Sequence, residues 1–389
     1  MRILLGSNRY FNDVAGGGNR VAWDAAQHLA AMGHEVVLVC EGIDGKPESE
    51  PVGEIRVLRY RVPKLDLDFL SRHQRAARKV LFRQLVAEGW VPDLLWGHMP
   101  LQAAAMIDVF PAVRMTYTMH SPVLMEFEEA EASGVWSKMK GRLALKIERR
   151  ACKHAGVITV LSEFTLGQIR RLHGDAIAAK AKITPGWADL SRFHLAASRS
   201  AVKSELDWPQ DRTVFFTVRR LVLRMGLDRL LDAAALLRDR NLSFHLYIAG
   251  SGPMRAQLES KIATLKLDDR VRLLGTVSET QLAAMYSAAD AFVIPTRALE
   301  CFGLVAVEAM SAGTPALSTP VGALPEIFKR IEPQWLARDN SAESIAELMG
   351  AFVQGKLPVH SPEELRRFVE DNYDRTKMLD ALVRTSAGL

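Results

Sequence analysis

Short runs of apolar residues alternate along the chain with longer segments in which apolar residues recur every three or four positions. Runs such as Glu35–Cys40 and Phe244–Ala249 are apolar almost throughout, which is typical of strands buried on both faces of a parallel sheet. Segments such as Leu227–Asp239 have the periodicity of amphipathic helices. The alternation predicts right-handed βαβ units, with further strands at Arg2–Leu5, Ile55–Tyr60, Leu94–Gly97, Met115–Met119, Gly156–Leu161, Thr213–Val218, Val271–Gly275, Ala291–Pro295 and Thr314–Ser318, and further helices at Gly18–Met32, Leu70–Glu88 and Pro253–Leu265.

A polar, proline-containing stretch at Pro185–Gln210 separates two such alternating blocks. Stretches of this composition commonly link domains. The sequence therefore predicts an α/β protein of two tandem Rossmann-like, doubly wound parallel-sheet domains that face each other across a cleft, where such pairs bind their ligand. We place the first domain at residues 1–190, the second at residues 191–370, and a C-terminal helix, residues 371–389, packing back toward the first domain.

The composition is that of a globular protein, and it excludes several classes of function. Of 389 residues, 48% are hydrophobic and 24% are charged, and the net charge of +5 is too small for a dedicated nucleic-acid binder. Three cysteines without paired spacing predict neither a disulfide framework nor a structural zinc site. Because the sequence shows no secretory leader and no apolar run of about 18 residues, we expect a cytoplasmic protein, at most peripheral at the inner membrane face.

Gly16, Gly17 and Gly18 follow the first strand and open the first helix. Backbone amides of a glycine-rich turn at a helix N-terminus can approach an anion closely, and the helix dipole favours the negative charge. The run is not a dinucleotide fingerprint, because about ten residues separate it from the strand. A flexible loop that only caps the helix is the alternative interpretation.

Two carboxylates, Glu300 and Glu308, are separated by seven residues. The first follows the strand that ends at Pro295, and the second lies within a helix. Both are then expected to face the carboxyl edge of the sheet, where open α/β proteins bind ligands. The alternative is that Glu308 is an ordinary solvated helix residue, which fits poorly with its apolar neighbours.

Arg219, Arg220 and Arg224 lie in the loop that leaves the first strand of the second domain, and Gly250 and Gly252 form a turn after the next strand. Arginine offers bidentate hydrogen bonds to phosphate and a permanent charge. Solvated loop arginines and simple turn glycines are the alternatives. Together with the two glutamates, these residues are expected at strand carboxyl ends of one domain, where a nucleoside diphosphate can contact all of them at once.

This ordered set resembles the retaining glycosyltransferases of family 4, which have the GT-B fold of two Rossmann domains, and the resemblance covers nearly the whole chain. Its further elements are Gly33-His34-Glu35-Val36, Thr118-Met119-His120, Val160-Leu161-Ser162, Ile183-Thr184-Pro185-Gly186, Asp189-Leu190-Ser191-Arg192-Phe193 and Gly250-Ser251-Gly252-Pro253. The resemblance implies transfer of a hexosyl unit from a nucleoside-diphosphate sugar, expected to be a UDP-sugar, to an acceptor hydroxyl with retention of anomeric configuration.

The resemblance also implies roles for individual residues. Glu308 would bind the ribose hydroxyls, Glu300 the hydroxyls of the donor sugar, and Arg220 the diphosphate. His120 would lie near the donor sugar, so His120, Glu300 and Arg220 are the expected catalytic residues. Further donor contacts are expected from Gly16, Gly17, Gly18, Arg224, Gly250, Gly252, Val277 (near the base), Phe302, Gly303, Leu304 and Val305.

Two positions depart from the family pattern. Many relatives carry a lysine before the glycine of the arginine loop, where it neutralises the leaving diphosphate, but this chain has Met225 before Gly226. Arg219 and Arg224 are both candidates to replace that charge. The linker reads Pro185-Gly186-Trp187 where relatives have Pro-Asn-Gly.

The motif Asp66-Leu67-Asp68 matches a pattern that elsewhere binds a metal on a sugar nucleotide, but its place before an amphipathic helix favours an N-cap. The ten histidines are scattered without metal-ligand spacing. We therefore expect a metal-independent enzyme without a cofactor, in which arginine and helix dipoles take the place of a cation.

Two other functions are compatible with the fold. One is a sugar-nucleotide epimerase, against which the paired glutamates count, and the other is a non-catalytic sugar-binding protein.

The sequence leaves the class of acceptor open. Two basic helical segments, Lys64–Trp90 and Lys138–Lys153, carry apolar residues at helical spacing. If they lie on an anionic membrane, the acceptor is a lipid-linked glycan. If their apolar stripes pack on the sheet, the acceptor is a soluble sugar, aminocyclitol or small metabolite.

Overall fold

The computed structural model describes residues 1–14, 16–62, 69–128 and 135–388. The chain forms two compact units, of which unit 1 comprises Met1–Pro185 with Thr376–Leu389, and unit 2 comprises Gly186–Arg375. The chain therefore passes into unit 2 after Pro185, whereas the sequence analysis places this boundary at residue 190.

Unit 1 is built, within the described residues, on a single sheet of eight strands. The strands are β1 (Arg2–Gly6), β2 (Glu35–Glu41), β3 (Ser49–Val52), β4 (Ile55–Tyr60), β5 (Leu94–Gly97), β6 (Met115–Met119), β7 (Val157–Val160) and β8 (Ala181–Ile183). Their order across the sheet is β3-β4-β2-β1-β5-β6-β7-β8. Neighbouring strands are parallel, except that β3 runs antiparallel to β4, which corrects the expectation of purely parallel pairing.

The two strands that the sequence analysis missed, β3 and β8, lie at the edges of this sheet. Edge strands are partly solvated, so they need no continuous apolar run. In β3 the residues Ser49-Glu50-Pro51-Val52 include a proline, which is tolerated at an edge because one side of the strand has no hydrogen-bonded neighbour.

The helices of the first part of the chain alternate with these strands. They are α1 (Gly17–Ala31), α2 (Phe69–Leu81), α3 (Pro100–Val109), α4 (Val123–Glu128), α5 (Val135–His154), α6 (Glu163–His173) and α7 (Asp175–Ala178). The predicted helix Leu70–Glu88 is α-helical to Leu81 and continues as a single π-helical turn, Phe82–Val86, so it ends two residues earlier than predicted. In this wider turn the Ala87 amide donates to the Phe82 carbonyl at 3.0 Å, and Leu85 is buried while Phe82 is exposed.

Unit 2 contains, in the part of the chain that the structure describes, a fully parallel sheet of five strands. These are β9 (Thr213–Val218), β10 (Phe244–Ala249), β11 (Val271–Gly275), β12 (Ala291–Ile294) and β13 (Ala316–Ser318), in the order β11-β10-β9-β12-β13. Its helices are α8 (Arg199–Glu205), α9 (Leu227–Asp239), α10 (Arg255–Thr264), α11 (Glu279–Ala288), α12 (Leu304–Ser311), α13 (Leu324–Ile331), α14 (Ala342–Val353) and α15 (Pro362–Tyr373). The last helix, α16 (Arg375–Ala387), belongs to unit 1 except for its first residue. None of the helices in the described ranges is long and apolar enough to cross a membrane.

Each unit has its own hydrophobic core. In unit 1 the core lies on the apolar strands and includes residues such as Leu4, Val39 and Val160. In unit 2 three aromatic rings, Phe216, Tyr286 and Phe292, pack against one another with ring centroids 5.1 to 5.8 Å apart. This packing ties helix α11 to the two central strands β9 and β12.

Both sheets reverse their strand order next to the first strand of the unit. In unit 1 the reversal lies between β1 and β5, and in unit 2 it lies between β9 and β12. In open α/β sheets, ligands bind outside the carboxyl ends of the strands at such a reversal. The loops after these four strands are therefore the places to look for functional residues.

Gly250, in the turn after β10, allows this turn to pack closely against the loop after β9. Its φ is +128°, and a Cβ built on it would lie 1.8 Å from the carbonyl oxygen of Arg219. At Gly252 the corresponding obstacle is the Leu221 carbonyl oxygen, at 2.5 Å. The glycine turn after β10 thus packs its backbone directly against the backbone of the arginine loop, Arg219–Gly226, and supports that loop.

We expect Gly250→Ala to destabilise unit 2 by at least about 3 kcal/mol, because the backbone of the arginine loop must move. The matched control is Gly355→Ala, where φ is +66° but no atom lies within 4 Å, so that only about 1 kcal/mol of backbone strain is expected. Urea unfolding monitored by circular dichroism measures both. Equal losses in the two variants would contradict the packing argument.

Candidate active site

The loops after β9 and β12 lie side by side at the strand-order reversal of unit 2. The first, Arg219–Gly226, holds the three arginines that the sequence singled out, and the second, Pro295–Gly303, holds Glu300. These residues are far apart in sequence, and the topology brings them to one edge of the sheet.

Arg219 is almost fully buried and joins the two loops. Its Nη1 donates a hydrogen bond to Glu300 Oε2 at 3.0 Å, and its Nη2 donates to Thr296 Oγ1 at 3.1 Å. Thr296 is also buried, and its Oγ1 lies 3.4 Å from the same oxygen of Glu300. The three side chains thus form a closed ring of hydrogen bonds around an ion pair whose side chains are 7% and 15% exposed.

The other two arginines of the loop differ from Arg219. Arg224 donates from Nη1 to the Leu299 carbonyl at 2.9 Å, so it braces the backbone of the neighbouring loop. Met225, at the position of the family lysine, is buried. Arg220 is exposed, and its side chain makes no hydrogen bond or ion pair with the residues that the structure describes. Of the three arginines, Arg220 is the exposed one, whereas Arg219 is buried and Arg224 is half-buried.

The backbone next to Glu300 is strained and firmly held. Leu299 has a φ of +56°, a conformation that costs a branched side chain about 1 to 3 kcal/mol. Arg224 holds the Leu299 carbonyl, and the Ala323 amide donates to the Glu300 carbonyl at 2.8 Å. Strain that the surroundings enforce in this way is typical of ligand clamps. The loop therefore presents the Glu300 carboxylate in a fixed direction.

Glu308 lies on α12, one turn into the helix, and is half-buried. The Tyr286 hydroxyl donates to Glu308 Oε2 at 2.9 Å. Burial, and then the charge of Glu308, raise the pKa of Tyr286 well above its ordinary value. Tyr286 therefore keeps its proton and remains a donor, which orients the Glu308 carboxylate.

The first turn of α12 offers backbone amides to this edge of the sheet. Gly303 precedes the helix with a φ of +100°, and Leu304 and Val305 form its first turn half-buried. Amides of a first helical turn have no partner within the helix and favour anions. Phe302 is buried and packs edge-on against Tyr373 at 5.5 Å, so its side chain serves the core. Val277 is half-buried in the loop between β11 and α11.

In unit 1 the strand-order reversal brings Gly18 next to His120. A Cβ on Gly18 would lie 3.3 Å from ring carbons of His120, which is tighter than most such contacts. The glycine run at the start of α1 and the histidine after β6 thus share one site. Gly16 is the N-cap of α1 and has an extended backbone.

His98, which follows β5, pairs with His120. Its Nδ1 lies 3.0 Å from His120 Nε2, and the rings stack with their centroids 5.1 Å apart. Burial, helped by the neighbouring His120, holds the pKa of His98 well below its ordinary value, and burial lowers the pKa of His120 to about 4. Both rings are therefore neutral near pH 7, and one donates the shared hydrogen bond while the other accepts it.

A buried ion pair anchors the loop that leads into the glycine run. Arg59 on β4 donates from Nε to Asp13 Oδ2 at 2.7 Å, and both side chains are 1% exposed. Arg59 also pairs with Glu50 at 2.7 Å. Asn19, in the first turn of α1, accepts from the Arg9 amide and donates to the Val14 carbonyl. The loop after β1 is thus fastened to the sheet at one end and to the helix at the other.

Sequence reasoning missed four residues of these sites: Thr296, Tyr286, His98 and Arg59. His98 and Thr296 follow predicted strands, so their position at a carboxyl end was an available signal. Tyr286 lies inside a helix and Arg59 inside a strand, where nothing in the local pattern distinguishes them from core residues. The Asp66-Leu67-Asp68 motif lies outside the described residues. Among the residues that are described, no group of three metal-ligating side chains is present.

Comparison with known proteins agrees with this geometry. Residues 15–192 match the family model described as Glycosyltransferase Family 4, and residues 198–375 match that described as Glycosyl transferases group 1. A 2-deoxystreptamine glucosyltransferase of Streptomyces kanamyceticus is 27% identical over 346 residues, which cover 85% of this chain and 88% of that protein.

Solved structures with the same fold cover nearly the whole chain. Sucrose-phosphate synthase from Thermosynechococcus elongatus has a TM-score of 0.81 at 21% identity, covering 98% of this chain and 97% of that chain. Anabaena Alr3699/HepE in complex with UDP and glucose has a TM-score of 0.76 at 17% identity, covering 99% of both chains. At these identities the likeness establishes the fold.

The two parallel-sheet Rossmann-like units, together with the family matches and relatives, define a GT-B glycosyltransferase that acts on nucleotide sugars. The chain belongs to the glycosyltransferases of group 1 and family 4. This confirms the resemblance stated from the sequence and the predicted class of fold.

The histidine pair predicts a pH dependence of stability. In the unfolded chain both rings titrate near 6.5, whereas in the folded protein burial lowers the pKa of His120 to about 4 and holds the pKa of His98 well below its ordinary value. Between these values the unfolded state binds more protons, so stability falls as the pH falls, by up to about 1.4 kcal/mol per pH unit for each histidine. Urea unfolding from pH 7 to pH 4 should show a shallower loss for the double variant His98→Gln/His120→Gln. His194→Gln, at an exposed position, is the control, and equal slopes in wild type and double variant would contradict the burial argument.

Proposed function

We propose that this glycosyltransferase moves a hexosyl unit from a UDP-sugar to an acceptor hydroxyl, with retention of anomeric configuration and without a metal ion. The observation that carries the proposal is the arrangement of Arg220, Glu300 and Glu308 around the carboxyl ends of β9 and β12 in unit 2. An exposed cation, a fixed carboxylate and a second carboxylate oriented by Tyr286 offer complementary partners to a diphosphate, a sugar and a ribose.

We assign the roles as follows. Glu308 accepts hydrogen bonds from the ribose hydroxyls, and Glu300 accepts from hydroxyls of the donor sugar. Arg220 pairs with the diphosphate, and amides of Gly303 to Val305 add further donors to it. Val277 lies near the base. Arg224, Phe302, Gly250 and Gly252 contribute by supporting these loops, as their packing and hydrogen bonds suggest.

The proposed reaction breaks the bond between the anomeric carbon and the diphosphate oxygen, which leaves with the electron pair. The acceptor oxygen forms its bond to the same face of that carbon, and its proton passes to the departing phosphate oxygen. Arg220 and the first-turn amides of α12 stabilise the charge that builds on the diphosphate. Removing one preorganised donor of this kind typically costs roughly a hundredfold in rate.

Two side chains that could act as nucleophile or base are already engaged. Glu300 is held by Arg219 and Thr296, and His120 shares a hydrogen bond with His98. A neutral His120, with a pKa lowered to about 4, is suited to hydrogen bonding with a hydroxyl group near the glycine run. Same-face attack needs neither residue as a nucleophile, which is why we favour it.

The uridine base is proposed because Anabaena HepE, which shares this fold, was solved with UDP and glucose. A sugar-nucleotide epimerase and a non-catalytic sugar-binding protein are the competing functions. An epimerase would convert its nucleotide sugar without any acceptor, and a binding protein would not turn it over at all.

A panel of UDP-, GDP- and ADP-sugars, incubated with the protein without acceptor, tests the proposal. We expect slow hydrolysis of a UDP-sugar, measured as released nucleoside diphosphate, and its loss in Glu308→Ala because the ribose contacts are removed. Glu343→Ala, exposed on α14, is the control and should hydrolyse at the wild-type rate. Cleavage of GDP- or ADP-sugars alone would refute the donor, an epimerised nucleotide sugar would refute the transferase, and full activity of Glu308→Ala would refute its role.

For the acceptor we propose a soluble sugar or aminocyclitol bound by unit 1. The name of the Streptomyces relative, a 2-deoxystreptamine glucosyltransferase, supports an aminocyclitol. The packing of the two basic helices supports a soluble acceptor. In α5 Leu145 and Ile147 are half-buried, and three other apolar residues of α5 and most of the described ones of α2 lie in the core. These are Leu70, Ala77, Val80 and Leu81 in α2, and Ala144, Ala151 and Cys152 in α5. Lys64 lies outside the described residues.

A lipid-linked acceptor is the alternative, because α5 also exposes Arg142, Lys146 and Arg149 beside Leu143, which is 47% exposed. Met139, four residues before Leu143 in α5, is 53% exposed. We expect no co-sedimentation with anionic liposomes, even at low salt, since one exposed methionine and one exposed leucine provide little apolar area. Salt-sensitive binding by the wild type would contradict a soluble acceptor. The α5 variant is Arg142→Gln/Arg149→Gln/Arg150→Gln, and its control with the same loss of charge is Arg272→Gln/Arg338→Gln/Lys356→Gln. If liposome binding is lost in the α5 variant and kept in the control, the acceptor is lipid-linked.

A further inference from the structure

We propose that Arg219 is a positioning residue that determines how the donor sugar is recognised: it fixes Glu300 with one carboxylate oxygen left for a sugar hydroxyl, and it does not bind the diphosphate. The inference rests on the proposed function, which assigns Glu300 to the donor sugar. It answers the question, open from the sequence, of what the additional arginine does in a loop that lacks the family lysine.

The contacts of Arg219 commit it to the interior. Both terminal nitrogens are used, one on Glu300 Oε2 and the other on Thr296 Oγ1. Its Nε is buried without a hydrogen-bond partner among the described residues, and the side chain as a whole is only 7% exposed. A phosphate would therefore have to compete with Glu300 for this guanidinium, and displacing Glu300 would leave a buried carboxylate without its cation.

The neighbouring Arg220 has the opposite environment. Consecutive residues at the end of a strand point to opposite sides, and here Arg219 is buried while Arg220 is exposed. Arg224 is bonded to a backbone carbonyl, and Met225 carries no charge. The tasks of the loop are therefore divided: Arg220 serves the diphosphate and Arg219 serves the sugar through Glu300.

The ring of hydrogen bonds also defines what Glu300 can accept. Its Oε2 is occupied by Arg219 and approached by Thr296, whereas its Oε1 has no hydrogen-bond partner within the described part of the chain. An ionised carboxylate only accepts hydrogen bonds, so Oε1 requires a hydroxyl. A donor that lacks this hydroxyl leaves the oxygen unpaired, and a uronate sugar brings a second negative charge beside it. The site is thus suited to neutral hexosyl donors that place a hydroxyl against this oxygen.

Equilibrium binding of UDP and of UDP-glucose separates the two tasks. We expect Arg219→Met to leave the Kd for UDP within about twofold of wild type. We expect it to weaken UDP-glucose at least about tenfold, which is about 1.4 kcal/mol, because Glu300 loses the partner that fixes it. The matched control, Arg220→Met, removes an equal charge from the next residue and should weaken both ligands alike. The ratio of the two affinities does not respond to a general loss of folded protein.

Arg219→Lys provides a second variant in case the methionine variant folds poorly. It keeps the cation beside Glu300, but an ammonium group lacks the planar fork that reaches Glu300 and Thr296 together. We expect an unchanged Kd for UDP and a several-fold weaker UDP-glucose complex.

The outcomes distinguish this inference from the proposed function. If the wild type binds both ligands and the Arg219 variants weaken both equally, Arg219 is a phosphate ligand and the inference alone fails. If the variants leave UDP-glucose binding unchanged, Arg219 is a structural residue and the inference also fails. If the wild type binds neither ligand, the proposed donor fails and the inference falls with it.

Discussion

The reversal of strand order between β9 and β12 is the constraint on which the candidate active site depends. Neighbouring parallel strands end at the same edge of the sheet, so the loops that follow them must meet there. Arg219 and Glu300, 81 residues apart in sequence, thereby come within 3.0 Å of each other. The same constraint in unit 1, between β1 and β5, places the glycine run, His98 and His120 at one site.

Both units hold the functional loop with a buried ion pair. In unit 1 Arg59 fastens Asp13 to the sheet, and in unit 2 Arg219 fastens Glu300. Buried ion pairs contribute little net stability, because desolvation offsets their attraction, but losing one partner is costly. Such a pair therefore enforces one arrangement of a loop more than it strengthens the fold. Ligand sites need a fixed arrangement of this kind, which explains why buried ion pairs, whose desolvation is costly, lie next to glycine-rich turns.

The sequence predicted most central strands because their apolar runs are long, and it missed β3 and β8 because edge strands need no such run. It also placed the arginines and glutamates at strand ends, since residue type and spacing are visible in one dimension. It did not pair Arg219 with Glu300, because periodicity does not specify which strands are neighbours. Tyr286 shows the same limit, since its partner Glu308 becomes visible only once α11 and α12 are in place.

Helix α16 completes unit 1, although the whole of unit 2 precedes it in the chain. It packs against the sheet, where the Thr116 hydroxyl donates to the Ser386 carbonyl. It also contacts α1, where His28 Nε2 lies 2.7 Å from Asp380 Oδ1. On the ribosome, the first unit to begin emerging is thus the last to be finished. Strands β1 to β8 must wait, with this face uncovered, while unit 2 is made and folds. Any fragment intended to represent unit 1 needs both of its separate pieces of chain.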